Sequence, residues 1–189
     1  MKAYQALPEE YREIVSIDLK NDKKLFWKIN GLCIAIMALM IFLASGKGFV
    51  LTMLEPIEGL ALRLMVLGAG TLLYIVLHEL THAVVMKLCG TKKVKFGFGG
   101  GYAYAGSDDF YDKWGYITIA LSPVLLWGLV LALICMLVPR EWFFVAYFIQ
   151  ILNVSGAAGD FYVTFRFISL PSDILVHDSG TSMKVYSKK

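Results

Sequence analysis

Four long runs of apolar residues constrain the fold of this chain more than any other feature. They cover residues 27–45, 60–88, 116–138 and a last run from 142 to 161 or a little beyond. Each is close to the ~20 residues that a helix needs to cross the hydrocarbon core of a bilayer. The mean hydropathy of +0.63 and the charged fraction of 17% also lie outside the usual range of soluble domains. The sequence therefore predicts an integral-membrane protein with four spanning helices.

The expected fold class is all-α, with about four transmembrane helices and a small β-hairpin between the second and the third. A chain of 189 residues leaves room for one compact unit, so we expect a single integral-membrane domain over residues 1–189. Within it we expect a cytosolic amphipathic segment at 1–26 and a four-span core at 27–162. A cytosolic hairpin at 92–106 interrupts the core, and a cytosolic tail follows at 163–189.

The segment before the first span has the pattern of an amphipathic helix. Pro8 and two following glutamates are typical of a helix start, and apolar side chains within residues 7–19 fall on one helical face. We expect a short helix along the membrane surface. A signal peptide over residues 23–46 is the alternative interpretation. The segment before it is long for such a leader and carries five acidic side chains, which disfavours cleavage.

Lysine and arginine residues are distributed unevenly between the four spans. Six lie before or at the start of the first span, five between the second and third, and four after the fourth, whereas the other two connections together hold three. Cytosolic connections are enriched in these residues. We therefore expect a multi-pass protein of the cell membrane with both termini and the middle connection in the cytosol. The net charge of +3 is too small to indicate a nucleic-acid-binding protein.

The second span contains His78-Glu79-Leu80-Thr81-His82, which is an HExxH motif. Two histidines four residues apart lie on one face of a helix, so both imidazoles can bind one Zn²⁺ ion. Glu79 lies beside the same site, where it can take a proton from a metal-bound water. Ionisable side chains at membrane depth are costly and usually functional. The motif predicts that His78 and His82 bind zinc and that Glu79 is a general base.

Asp160 is the expected third zinc ligand. Of the fifteen acidic residues, Glu79 and Asp160 are the two inside apolar spans, and the span directions place Asp160 at the depth of the histidines. A divalent cation would neutralise this carboxylate and justify its burial. The structural alternative is that Asp160 pairs with Arg166 at the end of the fourth span. Rival ligands outside the spans are His177, Asp108, Asp109 and Asp112.

The connection between the second and third spans has the pattern of a β-hairpin. Apolar residues alternate with small or charged ones on both sides of Gly99-Gly100-Gly101. A phosphate-binding loop is disfavoured, because no helix begins directly after the glycines. The hairpin is either a plain surface turn or an edge strand that pairs with an extended substrate next to the zinc.

Together these motifs resemble intramembrane zinc metalloproteases of the site-2-protease type. They resemble more closely a small bacterial family described as "putative zincin peptidases". The resemblance covers about residues 60–189 and is clearest at 78–82, 94–98, 153–160 and 178–186. Site-2 proteases carry Leu-Asp-Gly after Asn-x-x-Pro, whereas here Gly-Asp-Phe follows Asn-x-x-Gly. The resemblance therefore implies the metal ligands more firmly than the handling of substrate, and it implies a membrane-associated β element like the predicted hairpin.

Two functions are compatible with these features. The first is a zinc-dependent intramembrane peptidase of membrane-associated proteins or peptides, in which Glu79 is the general base and Asn153 donates to the developing oxyanion. The second is a non-catalytic membrane protein, either a metal-binding transporter or an inactive protease homologue that acts by interaction. Glu79 favours the enzyme, because a pure binding site needs no base. The expected partners are this substrate and the lipid bilayer; the oligomeric state and the cleavage site stay open.

Overall fold

Four helices long and apolar enough to cross a membrane dominate the fold. The structure is a computed structural model that describes residues 1–18, 21–45, 57–99, 102–180 and 182–188. Many of the large apolar side chains on these helices are exposed, as lipid-facing residues would be. The prediction of four helices with the length and composition of membrane spans is confirmed. Their bounds are Lys23–Ser45, Leu60–Leu88, Lys113–Leu137 and Arg140–Ile168.

The first three of these are continuous helices: α1 (Lys23–Ser45), α2 (Leu60–Leu88) and α3 (Lys113–Leu137). The fourth is broken. A 3₁₀ turn leads into α4 (Phe143–Gly156), and α5 (Ala158–Ile168) follows after a break at Ala157. The break lies between Gly156 and Gly159, and glycine disfavours a helix interior because of its conformational freedom.

The expectation of an all-α fold is corrected by a five-stranded antiparallel sheet. Its strands come from three distant parts of the chain and lie in the order β1-β5-β6-β7-β2. A separate two-stranded sheet consists of β3 and β4. The protein is therefore a mixed α and β protein. The strands are β1 (Ala3–Tyr4), β2 (Tyr11–Asp18), β3 (Lys95–Gly99), β4 (Tyr102–Gly106), β5 (Phe110–Asp112), β6 (Leu175–Asp178) and β7 (Ser182–Lys188).

The predicted amphipathic helix over residues 7–19 is wrong, because β2 occupies most of it. Strand β2 pairs with β7 from Tyr11↔Lys188 to Asp18↔Ser182. The segment is rich in β-branched residues, which pack well on a sheet. A register irregularity between Glu13 and Val15 interrupts the period-two alternation of a regular strand. The apolar residues consequently have a spacing that also fits a helix.

The predicted β-hairpin between the second and third long helices is confirmed over the described residues 95–99 and 102–106. Strands β3 and β4 pair antiparallel from Lys95↔Gly106 to Gly99↔Tyr102. The ring of Tyr104 lies so close to Gly97 and Gly180 that a Cβ at either glycine would collide with it. Gly180 also has a φ of +90°, which an L side chain rarely adopts. The aromatic ring thus joins the hairpin to the turn after β6.

The described residues form two compact units, and whether the chain is one domain stays a prediction. One unit contains Met1–Lys28, Glu79–Pro123 and Gly159–Lys189 and includes both sheets. Its core includes Tyr111, Ile119, Phe167, Val176 and Val185. The other contains Ile29–His78 and Val124–Ala158. Its two apolar clusters are formed by Ala44, Phe144, Val145 and Ile151, and by Tyr74, Leu131 and Ile149.

Candidate metal centre

The HExxH motif lies on α2 and brings three potential ligands together. One donor atom from each of His78, Glu79 and His82 lies within 4.8 Å of the other two. His82 is buried, and the other two side chains are partly buried. The grouping follows from helical geometry, since residues four apart lie one turn above each other and share a face.

His82 is held in one orientation by the backbone of α3. Its Nδ1 lies 2.9 Å from the carbonyl oxygen of Ile119. Because a carbonyl oxygen can only accept, Nδ1 carries the hydrogen and donates it. In the neutral form that a metal requires, the lone pair of this imidazole is then on Nε2.

Asp160 lies beside that nitrogen. Its Oδ1 is 3.7 Å from Nε2 of His82, and its side chain is 22% exposed. The residue is in the first turn of α5, directly after the helix break. Two ligand atoms of a tetrahedral zinc site lie ~3.3 Å apart, so the observed separation is close to that of a shared ion. Its carboxylate is therefore placed to share a metal with His82.

His78 is held by a different set of contacts. Its Nδ1 lies 2.9 Å from the hydroxyl oxygen of Tyr74, and this hydroxyl donates to Oδ1 of Asn153 at 3.0 Å. The Asn153 amide nitrogen is 3.3 Å from the carbonyl oxygen of Val124 and 3.4 Å from Oε1 of Gln150. Asn153 is fully buried. The predicted donation from Asn153 to an oxyanion stays a prediction, because the described contacts of its amide are with groups of the protein itself.

The rival zinc ligands have other contacts. Asp108 accepts a hydrogen bond from Lys95 at 2.6 Å, and this contact lowers the pKa of its carboxyl group. Asp112 accepts from the backbone of Gly115 at 2.9 Å and so caps the start of α3. The ring of His177 packs on Phe110 with 5.1 Å between centroids. Among the described residues, the compact group around His78 includes none of His177, Asp108, Asp109 and Asp112.

Sequence reasoning missed a carboxylate near this centre, that of Asp178 in β6. Tyr116 donates to its Oδ2 at 2.5 Å, and the backbone of Gly180 donates to its Oδ1 at 2.8 Å. Burial raises the pKa of Asp178, and the nearby charge of Asp160 raises it further, while both hydrogen bonds oppose the shift. Apart from the resemblance of the tail, no local pattern pointed to Asp178, because it lies outside the apolar spans.

Sequence reasoning also missed Tyr74. The spacing of Tyr74, His78 and His82 is four and four, so the three side chains follow one face of α2 over two turns. That spacing was the available signal. It is weak, because a tyrosine in an apolar run is more often part of the core.

The described donor set fits a zinc ion. Imidazole nitrogens and carboxylate oxygens are common ligands of catalytic zinc ions. Each histidine also has its Nδ1 engaged by the protein, as metal-binding histidines almost always do. These features are properties of the folded chain and do not depend on the family it belongs to.

Comparison with known proteins agrees with this centre. Residues 71–175, which are 105 of the 189 residues, match the family described as "Putative zincin peptidase". The match includes the HExxH motif, Asn153 and Asp160. No curated protein and no solved structure shows a significant match to the chain. Since the family match covers more than half of the sequence, the chain belongs to this zincin-peptidase family.

Proposed function

We propose that this protein is a zinc-dependent intramembrane peptidase that hydrolyses peptide bonds of membrane-associated substrates. The observation that supports this most directly is the compact group of His78, Glu79 and His82 on a helix with the length and apolarity of a membrane span. Membership of a family named for zinc peptidases supports the same activity. The further kinship with site-2 proteases rests on the sequence resemblance.

In this proposal His78, His82 and Asp160 hold the zinc ion. A zinc ion bound by three protein ligands keeps a position for water or substrate, lowers the pKa of that water and polarises a carbonyl group. The contact of 3.7 Å between His82 and Asp160 supports the inclusion of the carboxylate. His78 belongs to the set through its position one turn before His82.

Glu79 acts as the general acid–base group. Its carboxylate takes a proton from the attacking water and later donates it to the nitrogen of the leaving amine. A carboxylate oxygen of Glu79 lies within 4.8 Å of a ring nitrogen of both His78 and His82. From this position it can reach a water between the two histidines. A surrounding of apolar side chains strengthens such electrostatic contacts, because the local dielectric constant is low.

The substrate is proposed to bind along the hairpin as an extended strand. Strands β3 and β4 form a two-stranded sheet in the described part of the chain, so β3 has an edge where another strand can pair. Phe96 and Phe98 on β3 are 55% and 77% exposed. Such a strand gives backbone hydrogen bonds to any sequence, while its exposed aromatic rings contact the side chains of the substrate.

Proline at Phe98 should impair cleavage while leaving the zinc content unchanged, because proline removes a backbone donor from the strand. Phe98→Val is the matched control, since it removes the ring but keeps the donor and the β-branched shape that strands favour. Zinc content and cleavage rate are measured on both purified variants. Loss of zinc in parallel with activity would show that the hairpin is structural instead. The same comparison can be made with Phe96.

We also propose a location in the cell membrane with both termini in the cytosol, based on the lysine and arginine distribution. The resemblance to a bacterial family supports a bacterial membrane. Reporter fusions after Lys95 and after Lys189 should indicate the cytosol, and fusions near Glu55 and Arg140 the outside. Glu55 and Lys189 lie outside the described residues. A cytosolic signal near Arg140 would contradict four spans and put Asp160 at the wrong depth.

A comparison of membrane peptides in cells tests the proposed function. Cells with the intact protein and cells with Glu79→Gln are compared by mass spectrometry of their membrane fractions. A peptidase predicts that uncleaved substrates accumulate with the variant and that their products disappear. Identical peptide sets would instead favour a metal-binding transporter or an inactive homologue.

A further inference from the structure

We propose that Tyr74 and Asn153 are positioning residues that fix the ring orientation and the tautomer of His78, so that its Nε2 is presented to the metal. The inference rests on the proposed zinc site and adds to it two residues that bind neither metal nor substrate. It assigns Asn153 a role through Tyr74 in place of direct contact with an oxyanion.

The carbonyl oxygen of Val124 sets the direction of the whole chain of hydrogen bonds. It lies 3.3 Å from the Asn153 amide nitrogen and can only accept a hydrogen bond. The Asn153 side chain must therefore point its NH₂ group at Val124 and its Oδ1 at Tyr74. Gln150 supports this orientation, because its Oε1 lies 3.4 Å from the same nitrogen.

The hydroxyl group of Tyr74 transmits this direction to His78. A phenol has one hydrogen, and here it is donated to Oδ1 of Asn153 over 3.0 Å. The oxygen of Tyr74 must then accept the hydrogen bond from Nδ1 of His78 over 2.9 Å. His78 consequently carries a hydrogen on Nδ1, and in its neutral form the lone pair is on Nε2.

Burial makes this arrangement strong. Tyr74 is 8% exposed and Asn153 is fully buried, so water competes little for either group. Buried networks with all members paired are stabilising and specify one geometry. Gly128 helps to make room, since a Cβ there would lie 3.3 Å from the Asn153 amide nitrogen.

The two histidines differ in what holds them. A backbone carbonyl, which no substitution of a side chain removes, orients His82. Two side chains orient His78, and both can be changed without touching a metal ligand. The hydrogen bonds from Asn153 through Tyr74 to His78 form a relay that can therefore be tested by mutation. The contact of His82 with a backbone carbonyl cannot be tested in this way.

Tyr74→Phe should weaken zinc binding by on the order of 10–100-fold, as is typical when a partner of a metal-binding histidine is removed. The matched control is Tyr147→Phe, which also removes a tyrosine hydroxyl donor, in that case to the carbonyl oxygen of Met40 at 2.9 Å. Zinc affinity is measured by competition with a chromogenic chelator in detergent. The visible spectrum of Co²⁺-loaded protein should change with Tyr74→Phe and stay as in the parent with Tyr147→Phe.

Asn153→Leu completes the test as a double-mutant cycle. Without Asn153, Tyr74 is able to donate to Nδ1 of His78 and favours the opposite tautomer, so zinc affinity should fall here too. Because both residues act through one contact, the double variant should lose far less than the product of the two single effects.

Different results separate the possible failures. Parental zinc affinity and an unchanged cobalt spectrum in Tyr74→Phe would overturn the relay while leaving the zinc site intact. Tyr74→Phe could leave zinc affinity unchanged while Asn153→Leu lowers kcat at unchanged zinc affinity. That result would support direct donation from Asn153 to the oxyanion. An unaltered protein that binds no zinc would overturn the metal site itself and the relay with it.

Discussion

Replacing Glu79 by glutamine should abolish peptide hydrolysis while leaving about one zinc ion bound per chain, as expected for a site with three other protein ligands. Glutamine has the shape of glutamate but cannot accept the proton of the attacking water. Removal of a general base typically costs on the order of 10²–10⁴ in rate. The loss should appear in the rate constant of the chemical step and not in the zinc content, because the ligands that bind zinc are unchanged.

The measurement compares the purified parent and variant under single-turnover conditions, with zinc quantified in the same samples. Glu58→Gln is the matched control, because Glu58 is exposed before the start of α2 and its loss should leave the rate unchanged. A Glu79→Gln variant that cleaves at the parental rate would contradict the mechanism. Loss of zinc from the same variant would show that Glu79 is a ligand.

Asp160→Asn should weaken zinc binding by more than the 10–100-fold that the loss of an outer partner costs, because an amide oxygen is a poorer ligand and the site lacks one negative charge. Asp160→His should restore part of the affinity, since imidazole also binds zinc. The zinc affinities of both variants are measured by chelator competition.

Arg166→Gln is the control for the structural alternative. If Asp160 serves to pair with Arg166 in the last turn of α5, both variants should keep full zinc occupancy and lose a similar, small amount of stability. Full occupancy in Asp160→Asn together with zinc loss in His177→Ala would instead transfer the ligand role to β6. The present contacts of His177, with its ring on Phe110, argue against that transfer.

Local sequence patterns predicted the helices and the zinc motif. A run of apolar residues of bilayer length leaves few options besides a helix, and the bounds of α2 coincide with those predicted. The HExxH spacing depends on one helix alone, so His78, Glu79 and His82 could be grouped without knowledge of the fold. The hairpin was predictable for the same reason, since its two strands are close together in sequence.

Long-range pairing was beyond local patterns. Strand β2 exists because β7 lies beside it, and the two are separated by more than 160 residues. The hydrogen bonds around the site were missed for the same reason, because they also join distant parts of the chain. Tyr74 and Asn153 are 79 positions apart, and Tyr116 and Asp178 are 62 apart. A hydrogen bond between such residues is decided by tertiary packing, which one sequence does not reveal.

The interleaved strand order of the five-stranded sheet has a consequence for how the nascent chain acquires its structure. Strand β1 pairs with β5 and strand β2 pairs with β7, so the partner of each N-terminal strand lies far along the chain. Both β6 and β7 follow all four long apolar helices in the chain. All four helices are therefore synthesised while the sheet still lacks β6 and β7, and distant pairings of this kind form slowly. Asp178 lies in β6, so its hydrogen bond with Tyr116 can form only after all four long helices have been synthesised.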